Sequence, residues 1–208
     1  MRLQVAIDRV SVERADEIIG LTEGHADIIE VGTSLIKDFG LAGSIRVLKD
    51  KYPGQCILAD MKTCDEGAYE FREAYKAGCD IPTVMGFSSI PTLKACQQVA
   101  DEYKKEYMID LLEVSEEKLE ELKMEFPDAI FCVHLPSDNQ GRGLEELVIQ
   151  MCGQMEGIKK IAVAGGVTLD TLEIMKRAGV DIVIVGGAIT REQDITKAAR
   201  KFSEELGR

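Results

Sequence analysis

Short runs of apolar, mostly β-branched residues recur along the whole chain, and their spacing restricts the fold more than any other feature of the sequence. The eight runs are Leu3–Ile7, Ile28–Val31, Ile57–Asp60, Ile81–Met85, Tyr107–Leu111, Ala129–Val133, Ile161–Ala164 and Ile182–Val185. Their starts lie 21 to 32 residues apart, and amphipathic stretches of helical period separate them. The pattern predicts one strand–helix unit repeated eight times.

These runs are mostly apolar and do not alternate with polar residues, which is typical of parallel strands covered on both faces. Eight such units can close into a (β/α)8 TIM barrel, and we predict an α/β fold with a single barrel domain over residues 1–208. An open, doubly wound sheet is the alternative architecture. The hydroxyl residues expected to cap helix starts are Ser11, Ser115, Thr168 and Thr190.

The net charge and the hydropathy of the sequence argue against two kinds of binding partner, nucleic acids and membranes. The 208 residues include 25 Lys and Arg against 37 Asp and Glu, so a nucleic-acid groove, which needs a basic surface, is not expected. No apolar run approaches the roughly 18 to 20 residues that span a bilayer, and Met1–Val5 begins directly with strand-like sequence. We expect a cytoplasmic protein without a membrane partner.

The six cysteines lack C-x-x-C spacing and are expected to be reduced, without a metal.

Polar residues follow the third predicted strand, in the sequence Asp60-Met61-Lys62-Thr63-Cys64-Asp65. Residues two apart on a strand point to the same face, so Asp60 and Lys62 should project side by side, with Asp65 in the loop beyond. A solvated surface run would have the same composition. The functional interpretation gains weight because other strands also end in polar residues, namely Asp8, Glu30, Asp110 and His134. In a barrel these ends meet at the rim that carries the active site.

Glu30 stands in core-like sequence, where an unpaired carboxylate would be costly to bury. It could form a structural ion pair with Lys62. The functional alternative makes Glu30 and Asp60 oxygen ligands of Mg²⁺, which takes one or two carboxylates and completes its shell with water and substrate oxygens. We favour the Mg²⁺ site, in which Lys62 offsets the negative charge and donates to an oxyanion.

His134 and two glycine pairs complete the predicted rim. An imidazole titrates near neutrality, so His134 is suited to moving a proton, although a lone histidine after a strand is more often structural. Strands 7 and 8 end in Gly165-Gly166 and Gly186-Gly187. Such pairs also occur in tight turns, but the loops after strands 7 and 8 are the recurrent phosphate site of this fold. A phosphorylated small molecule is the expected ligand.

The D-x-K-x-x-D pattern of Asp60, Lys62 and Asp65 resembles the orotidine 5′-monophosphate decarboxylase suprafamily, and the resemblance extends from Leu3 to about Phe202. The segments most similar to the 3-hexulose-6-phosphate synthase branch of this group are Leu3–Asp8, Asp27–Thr33 and Ala59–Thr63. Several motifs match in the same order, so the resemblance is specific.

The resemblance implies a Mg²⁺-dependent aldol reaction that joins formaldehyde to D-ribulose 5-phosphate through an enediolate and gives D-arabino-3-hexulose 6-phosphate. The roles it implies are metal ligation by Glu30 and Asp60, substrate contact by Asp8, enediolate stabilisation by Lys62, proton transfer by His134 and phosphate binding around Gly166 and Gly187. Family members are dimers in which Asp65 reaches the partner's site, so a homodimer is expected. A Schiff-base mechanism is not expected, because Lys62 between Asp60 and Asp65 should stay protonated.

Two alternatives stay open on the sequence. The sibling 3-keto-L-gulonate 6-phosphate decarboxylase forms a similar enediolate by losing CO₂, and it typically has an arginine three residues after the histidine, where this chain has Ser137. Synthases usually have Thr-Gly directly after the histidine, where this chain has Leu135-Pro136, and Arg142 could replace a missing cation. A phosphosugar-binding barrel without turnover is the non-enzymatic alternative.

Overall fold

Eight parallel strands form a closed barrel in which each strand pairs with the next along the chain and the first pairs with the eighth. The computed structural model describes residues 1–136 and 143–207. The strands are β1 (Arg2–Ile7), β2 (Ile28–Val31), β3 (Cys56–Thr63), β4 (Ile81–Met85), β5 (Met108–Asp110), β6 (Ile130–His134), β7 (Lys160–Ala164) and β8 (Ile182–Val185). The closed sheet confirms the (β/α)8 prediction and excludes the open, doubly wound alternative.

Helices lie outside the strands and connect them. They are α1 (Val12–Thr22), α2 (Thr33–Leu41), α3 (Val47–Lys51), α4 (Gly67–Lys76), α5 (Ile90–Tyr103), α6 (Glu116–Glu125), α7 (Leu144–Gln154), α8 (Leu172–Arg177), α9 (Gly187–Thr190) and α10 (Ile195–Glu205). A π-helical segment, Ala42–Arg46, joins α2 to α3. Ser11 and Ser115 cap α1 and α6 as predicted, because their hydroxyls accept backbone N–H groups of the first helical turn.

The predicted caps at Thr168 and Thr190 are wrong. α8 begins only at Leu172, and the Thr168 N–H donates to the hydroxyl of Thr171. Thr190 is the last residue of α9, while Asp194 caps α10. The chain after β7 therefore forms a loop over residues 165–171 at the rim, where the sequence had suggested an immediate helix start.

Two apolar layers hold the barrel together, because alternate side chains of each strand point inward and outward. The inward-facing cluster consists of Ile28, Leu58, Ile81, Met108, Ile130, Cys132, Ala162, Ala164, Ile182 and Ile184. The larger outer layer joins strands to helices and includes the fully buried rings of Phe71, Phe126 and Phe131. Toward the carboxyl ends of the strands the interior becomes polar, which sets the position of the site.

None of the helices in residues 1–136 and 143–207 is long and apolar enough to cross a membrane. The cysteines whose side chains are described, Cys56, Cys64, Cys79, Cys96 and Cys132, are all free. Three of them, Cys79, Cys96 and Cys132, are buried, in agreement with the mostly core positions predicted.

Candidate active site

A cavity of about 530 Å³ opens at the carboxyl ends of the strands. The predicted site residues that line it are Asp8, Glu30, Asp60, Lys62, His134, Gly165, Gly166, Gly186 and Gly187. Asp65 does not line it. This residue is exposed in the loop between β3 and α4, where its side chain accepts the backbone N–H of Glu66. The fold therefore brings together every predicted site residue except Asp65.

The side chains of Asp60 and Lys62 meet on β3 as predicted, although the pairing of β3 with β4 is irregular between Ala59 and Thr63 and does not follow a regular alternation. Lys62 Nζ lies 3.1 Å from Asp60 Oδ2 and 3.1 Å from Asp110 Oδ2. The hydroxyl of Thr33 donates to Asp60 Oδ2 at 2.6 Å. Burial opposes the charged ammonium, but the two carboxylates outweigh it and raise the pKa of Lys62. Lys62 is thus a protonated donor. The sequence predicted Asp65 as the second carboxylate beside it, but in the structure that carboxylate is Asp110.

Asp110, at the end of β5, connects Lys62 to His134. Its Oδ2 lies 2.8 Å from His134 Nδ1, and its Oδ1 accepts the backbone N–H of Leu112 at 2.9 Å. Burial alone would raise the pKa of Asp110, but the contacts with His134, Lys62 and Leu112 lower it below its usual range. Asp110 therefore stays ionised and orients the His134 ring. The sequence indicates no role for Asp110, and its position at a strand end is the signal that could have found it.

Glu30, on β2, is 9% exposed and accepts a 2.6 Å hydrogen bond from Gln4 Nε2. Burial, followed by repulsion from Asp60, raises the pKa of Glu30 to about 8. Within residues 1–136 and 143–207 no ion pair joins Glu30 to Lys62, whose ammonium pairs with Asp60 and Asp110 instead, so the structural alternative for Glu30 is not supported. Glu30 is a buried carboxylate that a nearby positive charge would stabilise.

The donor set around Glu30 fits a hard divalent cation such as Mg²⁺. Glu30 and Asp60 line the same cavity and repel each other, and the side-chain carbonyl oxygen of Gln4 is buried without a hydrogen-bond partner in the described part of the chain. Mg²⁺ prefers oxygen ligands and commonly uses one or two carboxylates. Among the described residues no group of three or more His, Cys, Asp or Glu side chains is arranged to hold a metal, so water and substrate oxygens would complete the shell.

Asp8 follows β1 and contacts the start of α2. Its Oδ1 accepts the hydroxyl of Ser34 at 2.9 Å and the backbone N–H of Ser34 at 3.3 Å. A Cβ atom on Gly32 would lie 2.1 Å from the carboxyl carbon of Asp8, so only glycine permits this approach. Asp8 therefore caps a helix from another loop while it lines the cavity.

The glycine loops form the opposite side of the cavity. Gly165 and Gly166 have φ values of 90° and 73°, a region that favours glycine. A Cβ atom on Gly165 would also lie 2.1 Å from the backbone oxygen of Leu135, because the loops after β6 and β7 touch there. Gly186 and Gly187 open α9, and the first N–H groups of a helical turn have no intrahelical acceptor. Backbone N–H groups in glycine loops of this kind can bind an anion.

Two arginines, one lining the cavity and one beside it, were not singled out from the sequence. Arg9 lines the same cavity, and the side chain of Arg191 packs against Gly187. Isolated arginines in loops are too common to be recognised as site residues without the fold. Ser137 and Arg142, on which the choice between the two branches partly depended, lie outside the described residues.

Comparison with known proteins gives consistent matches over nearly the whole chain. The model of the orotidine 5′-phosphate decarboxylase / HUMPS family matches residues 1–202. The chain is 35% identical to 3-hexulose-6-phosphate synthase of Bacillus subtilis (strain 168), over 98% of each sequence. The crystal structure of 3-hexulose-6-phosphate synthase from Salmonella typhimurium is similar with a TM-score of 0.90 and 33% identity, covering 99% of this chain and 98% of that one. A crystal structure of KGPDC from Streptococcus mutans is similar with a TM-score of 0.88 and 25% identity, covering 99% of this chain and 96% of that one.

Proposed function

Since the chain belongs to the orotidine 5′-phosphate decarboxylase / HUMPS family, we propose that it is a Mg²⁺-dependent aldehyde-lyase that condenses formaldehyde with D-ribulose 5-phosphate to D-arabino-3-hexulose 6-phosphate. The observation that carries the proposal is the chain of contacts Asp60–Lys62–Asp110–His134 in the cavity that the glycine loops also line. It combines a fixed cation, an oriented proton carrier and an anion-binding loop, which this reaction needs.

The reaction would begin with loss of a C1 proton from ribulose 5-phosphate to His134. Asp110 holds Nδ1 of the ring, so Nε2 is the nitrogen left to exchange the proton. The resulting enediolate carries one added negative charge, centred on its C2 oxygen beside the C1 hydroxyl, and the Lys62 ammonium donates to it. Its C1 then forms a carbon–carbon bond to formaldehyde, and the proton returns to the former aldehyde oxygen.

Glu30 and Asp60 would hold Mg²⁺, and Asp8 would contact the substrate at the cavity edge. When bound there, Mg²⁺ would supply positive charge that offsets the negative charge developing on the substrate. Backbone N–H groups near Gly165, Gly166, Gly186 and Gly187 would bind the phosphate, with Arg9 and Arg191 as nearby cations. A chain of net charge -12 needs such a local site for an anion.

The test of this function is a side-by-side turnover assay, with Mg²⁺, of ribulose 5-phosphate plus formaldehyde and of 3-keto-L-gulonate 6-phosphate. We expect hexulose 6-phosphate from the first pair. Turnover of only the second substrate would assign the chain to the branch of 3-keto-L-gulonate 6-phosphate decarboxylase (KGPDC). The Streptococcus mutans structure, at 25% identity, represents that branch. Binding of ribulose 5-phosphate without turnover of either substrate would favour the phosphosugar-binding alternative.

Replacing His134 by asparagine is expected to slow the exchange of the ribulose 5-phosphate C1 proton with deuterated solvent by about 100-fold or more, because a general base is lost. The exchange is followed by NMR without formaldehyde. His25, the other histidine of the chain, lies between α1 and β2 and serves as the control. Exchange that is as fast in His134→Asn as in His25→Asn would move the base elsewhere.

Replacing Gly166 by alanine is expected to raise KM for ribulose 5-phosphate about tenfold, because uniform binding of the phosphate is weakened. Gly179 is a matched control. Its φ of 72° nearly equals the 73° of Gly166, and a Cβ atom at either position meets no atom of the described residues within 4 Å. Gly179 precedes β8 at the opposite end of the barrel, so Gly179→Ala should lose a similar stability, about 1 kcal/mol, at unchanged KM. Equal KM values in the two variants would contradict phosphate binding by this loop.

We also propose a homodimer in which Asp65 serves the partner's site. The proposal is supported by the exposure of Asp65 outside the cavity of its own chain and by exposed Tyr69 nearby on α4. Sedimentation equilibrium should give twice the chain mass of 22.9 kDa. A monomer at assay concentration would contradict this arrangement.

A further inference from the structure

β3 and β4 lose their regular register beside the site. Ala59 pairs with Pro82 and Thr63 pairs with Val84, so the β3 residues from Asp60 to Lys62 all lie opposite Thr83. A regular ladder would place a single residue there. The extra residues form a bulge, and bulges commonly re-aim a side chain next to an active site.

Lys62, the last residue of this bulge, has a left-handed backbone with φ of 47°. This conformation is uncommon for a residue other than glycine and persists only where the surroundings hold it. The backbone N–H of Lys62 donates to the hydroxyl of Thr83 at 2.9 Å. The hydroxyl therefore takes the place of the backbone acceptor that a regular ladder would have offered.

The same hydroxyl also donates to Asp60 Oδ1 at 3.0 Å. A hydroxyl has one proton to donate and lone pairs that accept, so Thr83 can make both hydrogen bonds at once. Its side chain points into the polar interior of the barrel and is 3% exposed, so bulk water does not compete for it. One buried side chain thus fixes the backbone of Lys62 and the carboxylate of Asp60 relative to each other.

We infer that Thr83 is a positioning residue, whose hydroxyl holds Lys62 in the left-handed bulge that directs its ammonium between Asp60 and Asp110. Thr83 acts through these neighbours and needs no contact with substrate. Its effect on turnover rests on the proposed function, whereas its effect on the geometry of Lys62 does not.

The test compares Thr83→Val, which removes the hydroxyl and keeps the shape, with Thr83→Ser, which keeps the hydroxyl. Misplacing a catalytic group by about 1 Å can cost on the order of 100-fold, so we expect Thr83→Val to lower kcat about 10- to 100-fold. KM for ribulose 5-phosphate should change less than about threefold, because the phosphate loops follow other strands. Thr83→Ser should recover most of kcat.

Thr22→Val is the matched control. Thr22 is fully buried in α1, where its hydroxyl bonds to the carbonyl oxygens of Ile18 and Ile19, far from the site. Its kcat should equal that of the wild type. A loss of kcat in Thr22→Val as large as in Thr83→Val would overturn the inference, since any buried hydroxyl would then have the same effect.

A second readout is independent of activity. Amide hydrogen exchange followed by NMR should show protection of the Lys62 N–H in the wild type and in Thr83→Ser, and its loss in Thr83→Val. If Thr83→Val does not fold, Thr83→Ala carries the same expectations. Wild-type kcat together with a protected Lys62 amide in the variant without the hydroxyl would overturn the inference. A wild type inactive on both sugar phosphates would refute the proposed function, and the amide exchange would then decide the role of Thr83 alone.

Discussion

Lys62→Ala is expected to lower kcat about 10³-fold or more, because it removes the fixed positive charge that stabilises the developing oxyanion. The ammonium lies 3.1 Å from a carboxylate oxygen of Asp60 and 3.1 Å from one of Asp110. These contacts hold it in place before substrate arrives, so little reorganisation is needed during the reaction. A mobile lysine on an open surface would contribute far less.

The same variant should remain folded. It leaves the buried carboxylates of Asp60 and Asp110 without their shared cation, which destabilises the chain by roughly 1 to 3 kcal/mol. His134 still contacts Asp110, and Thr33 and Thr83 still donate to Asp60, so neither carboxylate loses all its partners. The loss of kcat should therefore greatly exceed any loss from unfolding at 25 °C.

Lys105→Ala is the matched control for this prediction. Lys105 Nζ lies 3.0 Å from Asp80 Oδ1, and the Lys105 side chain is 31% exposed, against 30% for Lys62. Asp80 precedes β4, so this pair lies at the opposite end of the barrel. Both variants are measured by steady-state kinetics and urea unfolding. A Lys62→Ala enzyme with kcat within a few-fold of Lys105→Ala would refute the assigned role.

The barrel could be predicted from the sequence because its signal is repeated. Each strand is a short apolar run, and eight runs at similar spacing leave few architectures. The ends of the runs were less certain, and β3 continues to Thr63, three residues beyond its predicted end. Its last residues are polar and bulged, so neither hydrophobicity nor regular alternation could mark the end of the strand.

The residues of the site could be predicted from the sequence only to the extent that strand ends place them at the same rim of the barrel. That rule brings Glu30, Asp60, Lys62 and His134 together without any knowledge of distances. It cannot tell which polar groups pair with one another. Lys62 was expected beside Asp65, its near neighbour in sequence, but the bulge directs the ammonium toward β5 and Asp110. Contacts between distant strands depend on register, which sequence alone does not provide.

Without metal, the wild-type protein is expected to lose stability as the pH rises from about 5 to 8, and Glu30→Gln should remove most of this loss. Burial and the charge of Asp60 raise the pKa of Glu30 from 4.5 to about 8. Between these two pH values the folded state holds a proton that the unfolded state has released, so stability falls as the pH rises. At about 1.4 kcal/mol per pKa unit, the effect is of the order of several kcal/mol.

Mg²⁺ should reverse this loss in the wild type, because a cation that binds only the folded state stabilises it and favours the ionised carboxylate. Unfolding by urea is measured at pH 5 and pH 8, with EDTA or with Mg²⁺. Glu30→Gln should be the more stable protein at pH 8 in EDTA and should gain little from Mg²⁺. Glu205→Gln, at a side chain that is 57% exposed, controls for the loss of one charge and should behave as the wild type. An equal gain in stability from Mg²⁺ in all three proteins would place the metal away from Glu30. If the stability of the metal-free wild type did not change between pH 5 and pH 8, the Glu30 carboxylate would already be compensated by a positive charge within the chain.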